Sequence, residues 1–147
     1  MKSVVDSSWD YYHQTILSFP SLSIDIDLRS HLSDESRFHL KALWPTQKLV
    51  VITPDNPYGN TISESTNKTR RSQLEARLDH DETLWTPANG MSPCRSHIEY
   101  GYGIDKPIDQ SLELAIELGQ SAIFYFDSEQ FWLYGAAVKS TPVLLPR

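Results

Sequence analysis

At 147 residues the chain has the length of one domain, and 39% hydrophobic with 11% aromatic residues is the composition of a packed core, not of a disordered segment. A net charge of −6, from 13 basic and 19 acidic residues, argues against general nucleic-acid binding, which needs a basic face. The single cysteine, Cys94, excludes an intrachain disulfide and fits a reducing compartment.

Residues 1–6 lack the apolar core and cleavage site of a signal peptide, and no apolar run approaches the length of a membrane span. The expectation is a soluble, cytoplasmic protein without membrane contact. Residues 8–17 read as a helix capped by Ser7 or Ser8, with Trp9, Tyr12, His13, Ile16 and Leu17 on one face and Pro20 as its stop. Leu22, Ile24, Ile26 and Leu28 then alternate with polar residues, the pattern of a half-buried edge strand. Residues 34–43 form a short helix capped by Ser33 or Asp34. The apolar run 48–53 predicts a central strand, covered on both faces.

Two prolines, two asparagines and a glycine make residues 54–60 a loop, and a helix follows from Ser63 or Ser65 with Leu74 and Leu78 buried. Trp85 and Pro87 lie on a short extended segment, and Asn89-Gly90 predicts a turn. From Ser96 to Ile104 the chain alternates as one strand. Ile98, Tyr100, Tyr102 and Ile104 take one face, and His97, Glu99, Gly101 and Gly103 the other. A glycine in a strand marks a close approach by a ligand, a packed element or a bend. Residues 108–119 predict a helix with Leu112, Ala115, Ile116 and Gly119 on one face, a stripe broadened by Leu114 and Leu118. Residues 121–126 and 131–134 predict a hairpin, and 139–147, with two prolines, a loose tail. The order of elements predicts an α+β fold: one compact domain over 1–138, with a mixed or antiparallel central sheet, helices packed on it and a C-terminal hairpin. Residues 1–44 are an N-terminal helix and strand extension to a core over 45–138.

The sequence holds no Gly-rich phosphate loop, paired metal-ligand cysteines or His-Glu-x-x-His helix, and the five histidines are scattered, so neither a metal site nor a cofactor is predicted. One constellation remains. The central strand delivers Thr53, Asp55, Asn56 and Asn60 into a loop, and the next helix begins with free N–H groups and Asn67, Arg70 and Arg71 in its first turns. That arrangement suits an anionic group; turn and capping chemistry explains the same residues without a ligand. His97 and Glu99 are a base with an orienting partner, or a solvated polar face. Cys94, beside Arg95, is an activated thiol or an incidental loop cysteine.

Ile52-Thr53-x-x-Asn56-Pro57, then Asn67 and Leu74, then His97-x-Glu99, then Gly119-Gln120-x-Ala122-Ile123-Phe124, resembles a bacterial family known as domain of unknown function 3293, over roughly residues 45–128. Here Pro54 and Asp55 stand where that pattern has a small residue and an aromatic. The resemblance implies a compact α/β domain and no particular activity. It singles out Thr53, Asn56, Asn67, Glu99 and Gln120; Gln120 closes a pocket wall or satisfies the last helix carbonyls.

Two functions are expected from these residues. The first is a small anionic ligand, a nucleotide or phosphorylated metabolite. Thr53, Asn56, Asn67 and Gln120 would supply hydrogen bonds, Arg70 and Arg71 positive charge, Glu99 with His97 acid/base chemistry, and Trp85 or Tyr58 a stacking ring. The alternative is a non-catalytic module that engages a protein partner through its aromatic residues.

Overall fold

The computed structural model describes residues 9–147. It contains two antiparallel sheets and three α-helices among those residues, so the central sheet is antiparallel throughout. In chain order they are β1 (Ile16–Phe19), β2 (Ile24–Asp27), α1 (Asp34–Lys41), β3 (Leu49–Ile52), α2 (Glu64–His80), β4 (Trp85–Pro87), β5 (Asn89–Met91), β6 (Ile98–Glu99), β7 (Tyr102–Ile104), α3 (Ile108–Glu117), β8 (Ala122–Phe126), β9 (Phe131–Gly135) and β10 (Val143–Leu145). The smaller sheet runs β2-β1-β5-β6 and the larger β10-β9-β8-β3-β7-β4.

The alternation of β3 explains the layering. Leu49 and Val51 face a cluster shared with Leu17 and Phe19 of β1 and Leu40 of α1. Val50 and Ile52 face a second cluster with Leu74 and Leu78 of α2 and Leu114 of α3. The larger sheet is therefore sandwiched, with the smaller sheet and α1 on one face and α2 and α3 on the other. All four β3 residues are buried, as expected of a central strand. Ser33 caps α1 and Ser63 caps α2, each side chain accepting from the N–H three residues on.

Five expectations are corrected. Residues 9–14 form a 3-10 helix, and the chain is a strand from Ile16. Pairing with β2 and β5 occupies both hydrogen-bonding edges of β1, so a helical stripe gives way to strand. The proposed caps Ser7 and Ser8 lie outside the described residues. Asn89-Gly90 is not a turn but part of β5, with Gly90 extended between Leu17 and Glu99. The strand predicted over 96–104 breaks into β6 and β7, which belong to different sheets. The break falls at Gly101, where a Cβ would lie 2.8 Å from the Ala88 carbonyl oxygen and closer still to that of Ile52. Ala88 donates its N–H to the Gly101 carbonyl at 2.9 Å, so the chain crosses between sheets twice at one place. The close approach signalled by Gly101 is thus backbone. In α3 Leu114 and Ala115 are buried as expected, but Ser111 joins them and Ile116, expected on the same face, is 45% exposed. A polar Ser111, donating to the Lys106 carbonyl, disguised the register. The tail is not loose: β10 pairs with β9 and buries Leu145, covering an edge that would otherwise stand open.

No helix among the described residues is long and apolar enough to cross a membrane.

Candidate functional site

The loop after β3 is held in a conformation its residues rarely adopt alone. Asn56 and Tyr58 both have positive φ, 47° and 58°; asparagine tolerates this region, tyrosine seldom does. Asn67 on α2 fixes the first. Its Oδ1 accepts from the Asn56 N–H at 3.0 Å, and its Nδ2 donates to Asn56 Oδ1 at 3.0 Å. That same oxygen accepts from the Ile62 N–H at 3.1 Å. Tyr58 is fixed by its N–H, which donates to the Gly119 carbonyl at 2.7 Å. Gly119 must be glycine: its φ is +74°, and a Cβ would lie 2.8 Å from that of Pro57.

Charge secures the same loop from behind. Asp55 is 1% exposed and receives Nε and a terminal nitrogen of Arg71 at 2.8 and 2.7 Å, together with the Tyr100 N–H at 3.1 Å. The Arg71 guanidinium lies over the Tyr100 ring, 4.5 Å from its centroid, and also meets Glu64 at 2.8 Å. The Asp55 carboxylate raises the Arg71 pKa above its ordinary value, against burial, with Glu64 adding to it. Arg70 donates to the carbonyls of Pro54 and Leu118, both at 2.6 Å, tying the loop to the end of α3.

In front of the loop, between the two sheets, lies a cavity of about 260 Å³. Its floor is largely apolar, with Leu17, Val51, Met91 and Phe124. Thr53, Asn56, Gln120, His97 and Glu99 bring polar groups to it, and Tyr11 and Tyr12 line it from the N-terminal side. Thr53 is already engaged, donating to the Tyr100 carbonyl and accepting from the Asp55 N–H. The Gln120 N–H donates to the Ala115 carbonyl of α3 at 2.8 Å, and its side chain lines the cavity while donating to the Asp55 carbonyl at 3.4 Å. His97 Nε2 lies 3.3 Å from Glu99 Oε1, with the histidine side chain 59% and the glutamate 26% exposed.

Of the residues singled out from sequence, Thr53, Asn56, His97, Glu99 and Gln120 share one cavity. Asn67, Arg70 and Arg71 do not line it; they stand behind the loop and hold it. Trp85 packs edge-on against Tyr102 in the helical layer, with its indole N–H on Asp79. Gly90, Leu17 and the tyrosines were missed. The signal for Leu17 and Gly90 was in the alternation of β1 and β5, hidden while those segments read as helix and turn; Tyr11 and Tyr12 stand on the 3-10 helix ahead of β1, where no strand pattern marks them.

Cys94 is exposed in the loop between β5 and β6. Hydrogen bonding with Ser92 and with Ser96, whose Oγ lies 2.9 Å away, lowers its pKa to about 7. Arg95, the expected cause, instead pairs with Asp25 at 2.7 Å. Alkylation of Cys94 by iodoacetamide should therefore rise with a midpoint near pH 7. Ser92→Ala with Ser96→Ala should move that midpoint toward the ordinary thiol value of ~8.5. An unchanged midpoint in the double variant would remove the serines as the cause.

An α+β fold with a cavity between two antiparallel sheets is the class defined so far. Residues 52–123 match the model of the family described as a protein of unknown function, DUF3293, and that stretch of the chain is similar to the family. No curated protein and no solved structure matches the chain.

Proposed function

We propose that this domain binds a small molecule in the cavity between its sheets. The observation that carries the reading is Gly90. In the register of the smaller sheet it stands opposite Leu17 on one side and Glu99 on the other, and all three line the cavity. Residues directly opposite on antiparallel strands share a face, so the cavity exists where a side chain at position 90 would stand. A Cβ there meets nothing nearer than Thr15 Cγ2 at 3.6 Å, so the space is open and the backbone unstrained. A mostly apolar hollow with a few convergent polar groups is the usual form of a small-ligand site.

Of the ligands expected from sequence, a phosphorylated one draws less support, because Arg70 and Arg71 are spent on the protein's own carbonyls and carboxylates. The His97–Glu99 pair is the acid/base couple at hand should the bound molecule react. Exposed aromatic residues suited to a protein partner, such as Phe38 on α1 and Tyr100 at the sheet crossing, belong to separate elements and carry less of the case.

Gly90→Leu is expected to fill the hollow while keeping the fold. A fragment library that includes nucleotides and sugar phosphates, screened by thermal shift, should yield compounds that stabilise the wild type and lose their effect on this variant. Hits that shift both proteins equally would place binding elsewhere and sink the proposal.

A further inference from the structure

The polar groups of the cavity are not equally free. Thr53 Oγ1 is used as donor and acceptor by its own loop. The amides of Asn56 and Gln120 are each used at one end. Asn56 Oδ1 accepts from Ile62 and Asn67, which fixes the orientation of the amide and leaves Nδ2 as the other end. Gln120 Nε2 donates to the Asp55 carbonyl, which leaves Oε1. Neither Nδ2 nor Oε1 has a partner among the described residues, although Asn56 is 9% and Gln120 7% exposed. No fully enclosed side-chain nitrogen or oxygen among those residues lacks a partner. The two free ends are therefore the accessible ones, and both residues line the cavity. They are also neighbours, since Gln120 grips the carbonyl of the residue preceding Asn56.

One donor and one acceptor, offered by two neighbouring residues to a mostly apolar hollow, are the complement of an amide edge. Charge points the same way. The described lining residues include no lysine or arginine and one carboxylate, Glu99, so an anion finds no fixed positive charge there. The volume, about 260 Å³, equals roughly nine waters at ~30 Å³ each, room for one or two rings. Resting on the reading of the cavity as a ligand site, we infer that it takes an uncharged ring compound bearing an amide edge, a C=O beside an N–H. The C=O accepts from Asn56 Nδ2 and the N–H donates to Gln120 Oε1. A group built to hydrogen-bond discriminates against analogues that leave it unpaired in a buried site.

The test uses nicotinamide, uracil and hypoxanthine as neutral amide probes, with nicotinate, inorganic phosphate and uridine 5′-monophosphate as anionic ones. Binding is read by ligand-observed NMR titration. At least one neutral probe should bind saturably, nicotinamide should bind about tenfold or more tightly than nicotinate, and phosphate should not bind. Asn56→Asp keeps an oxygen for Ile62 and Asn67 but turns the cavity-facing donor into an acceptor. It should weaken the neutral probes about tenfold or more with an unchanged far-UV spectrum. The nicotinamide and nicotinate comparison needs no variant, so it stands even if Asn56→Asp folds poorly. Anionic probes that bind more tightly than the amides, and are lost on Gly90→Leu, would overturn the ligand class and leave the cavity reading intact. Amides that bind Asn56→Asp as they bind the wild type would also overturn the class. If no probe of either kind binds in a way sensitive to Gly90→Leu, both readings fail.

Discussion

Replacing Arg71 with leucine is expected to destabilise the fold by about 3–5 kcal/mol, because it strands a buried carboxylate. Asp55 is 1% exposed, and two of the three hydrogen bonds its carboxylate accepts from described residues come from Arg71. The contact between Arg71 and Glu64 contributes little to this figure, since the Glu64 side chain is 70% exposed. The remaining contribution is the stacking on Tyr100, worth about 0.5–2 kcal/mol. For a domain of this size each kcal/mol moves the melting temperature by roughly 2–4 °C, so a fall of about 6–20 °C should be seen. Asp55→Leu combined with Arg71→Leu should recover much of the loss, because an apolar pair leaves no charge unmatched. Urea denaturation of the two variants decides the matter. A single variant that loses under about 1 kcal/mol would show that water reaches Asp55 and that the pair does not hold the loop.

Asn67→Ala should cost about 2–4 kcal/mol and abolish the proposed ligand binding as well. The substitution leaves the Asn56 N–H without its acceptor and removes one of two donors to Asn56 Oδ1, at about 1–3 kcal/mol for each buried group left unmatched. It also frees a backbone that is strained at Asn56 and Tyr58, where left-handed conformations cost of order 1–3 kcal/mol each. A loop relieved of its tether relaxes away from the cavity wall. Asn67→Asp separates the two effects: it still accepts from the Asn56 N–H but cannot donate to Asn56 Oδ1. Hydrogen exchange at the Asn56 and Tyr58 amides should speed up most in the alanine variant, less in the aspartate variant, and not at all in β3. Uniform exchange across the loop and β3 would mean that Asn67 stabilises the fold as a whole and has no special hold on the loop.

Residues 34–80 were legible in sequence because each signal there is local. Ser33 and Ser63 precede their helices, Val50 and Val51 continue an unbroken apolar run, and Pro57 and Gly59 punctuate the loop between them. Thr53 and Asn56 followed from the same locality, since they stand where β3 runs into its loop, while Gln120 came from the family resemblance. What could not be read depended on partners distant in the chain. Ile16 and Leu17 have helical spacing to Tyr12 and His13, and only pairing with residues 24–27 and 89–91 makes them strand. Gly90 follows an asparagine, as a turn glycine does, yet it is extended because Leu17 and Glu99 flank it. Arg70 and Arg71 stood beside a helix start, where a free anion would be welcome. That the protein already supplies the oxygens, from Pro54, Leu118 and Asp55, is a fact of tertiary structure alone.

The cavity draws mainly on two stretches of chain, with Val51 and Phe124 of its floor lying just outside both. Residues 52–123, the part shared with the family, bring the amides of Asn56 and Gln120, the carboxylate of Glu99 and the gap at Gly90. Residues 11–17, ahead of the shared part, bring Leu17, Thr15 and the two tyrosines. Chemical grip is thus encoded in one stretch and much of the shape in another. A change in β1 can reshape the hollow while the hydrogen-bonding pair stays as it is, and a change at Asn56 or Gln120 can alter the chemistry while the walls stay put. On the reading proposed above, proteins that keep the matched stretch can share one way of holding a ligand and still diverge in which ligand fits.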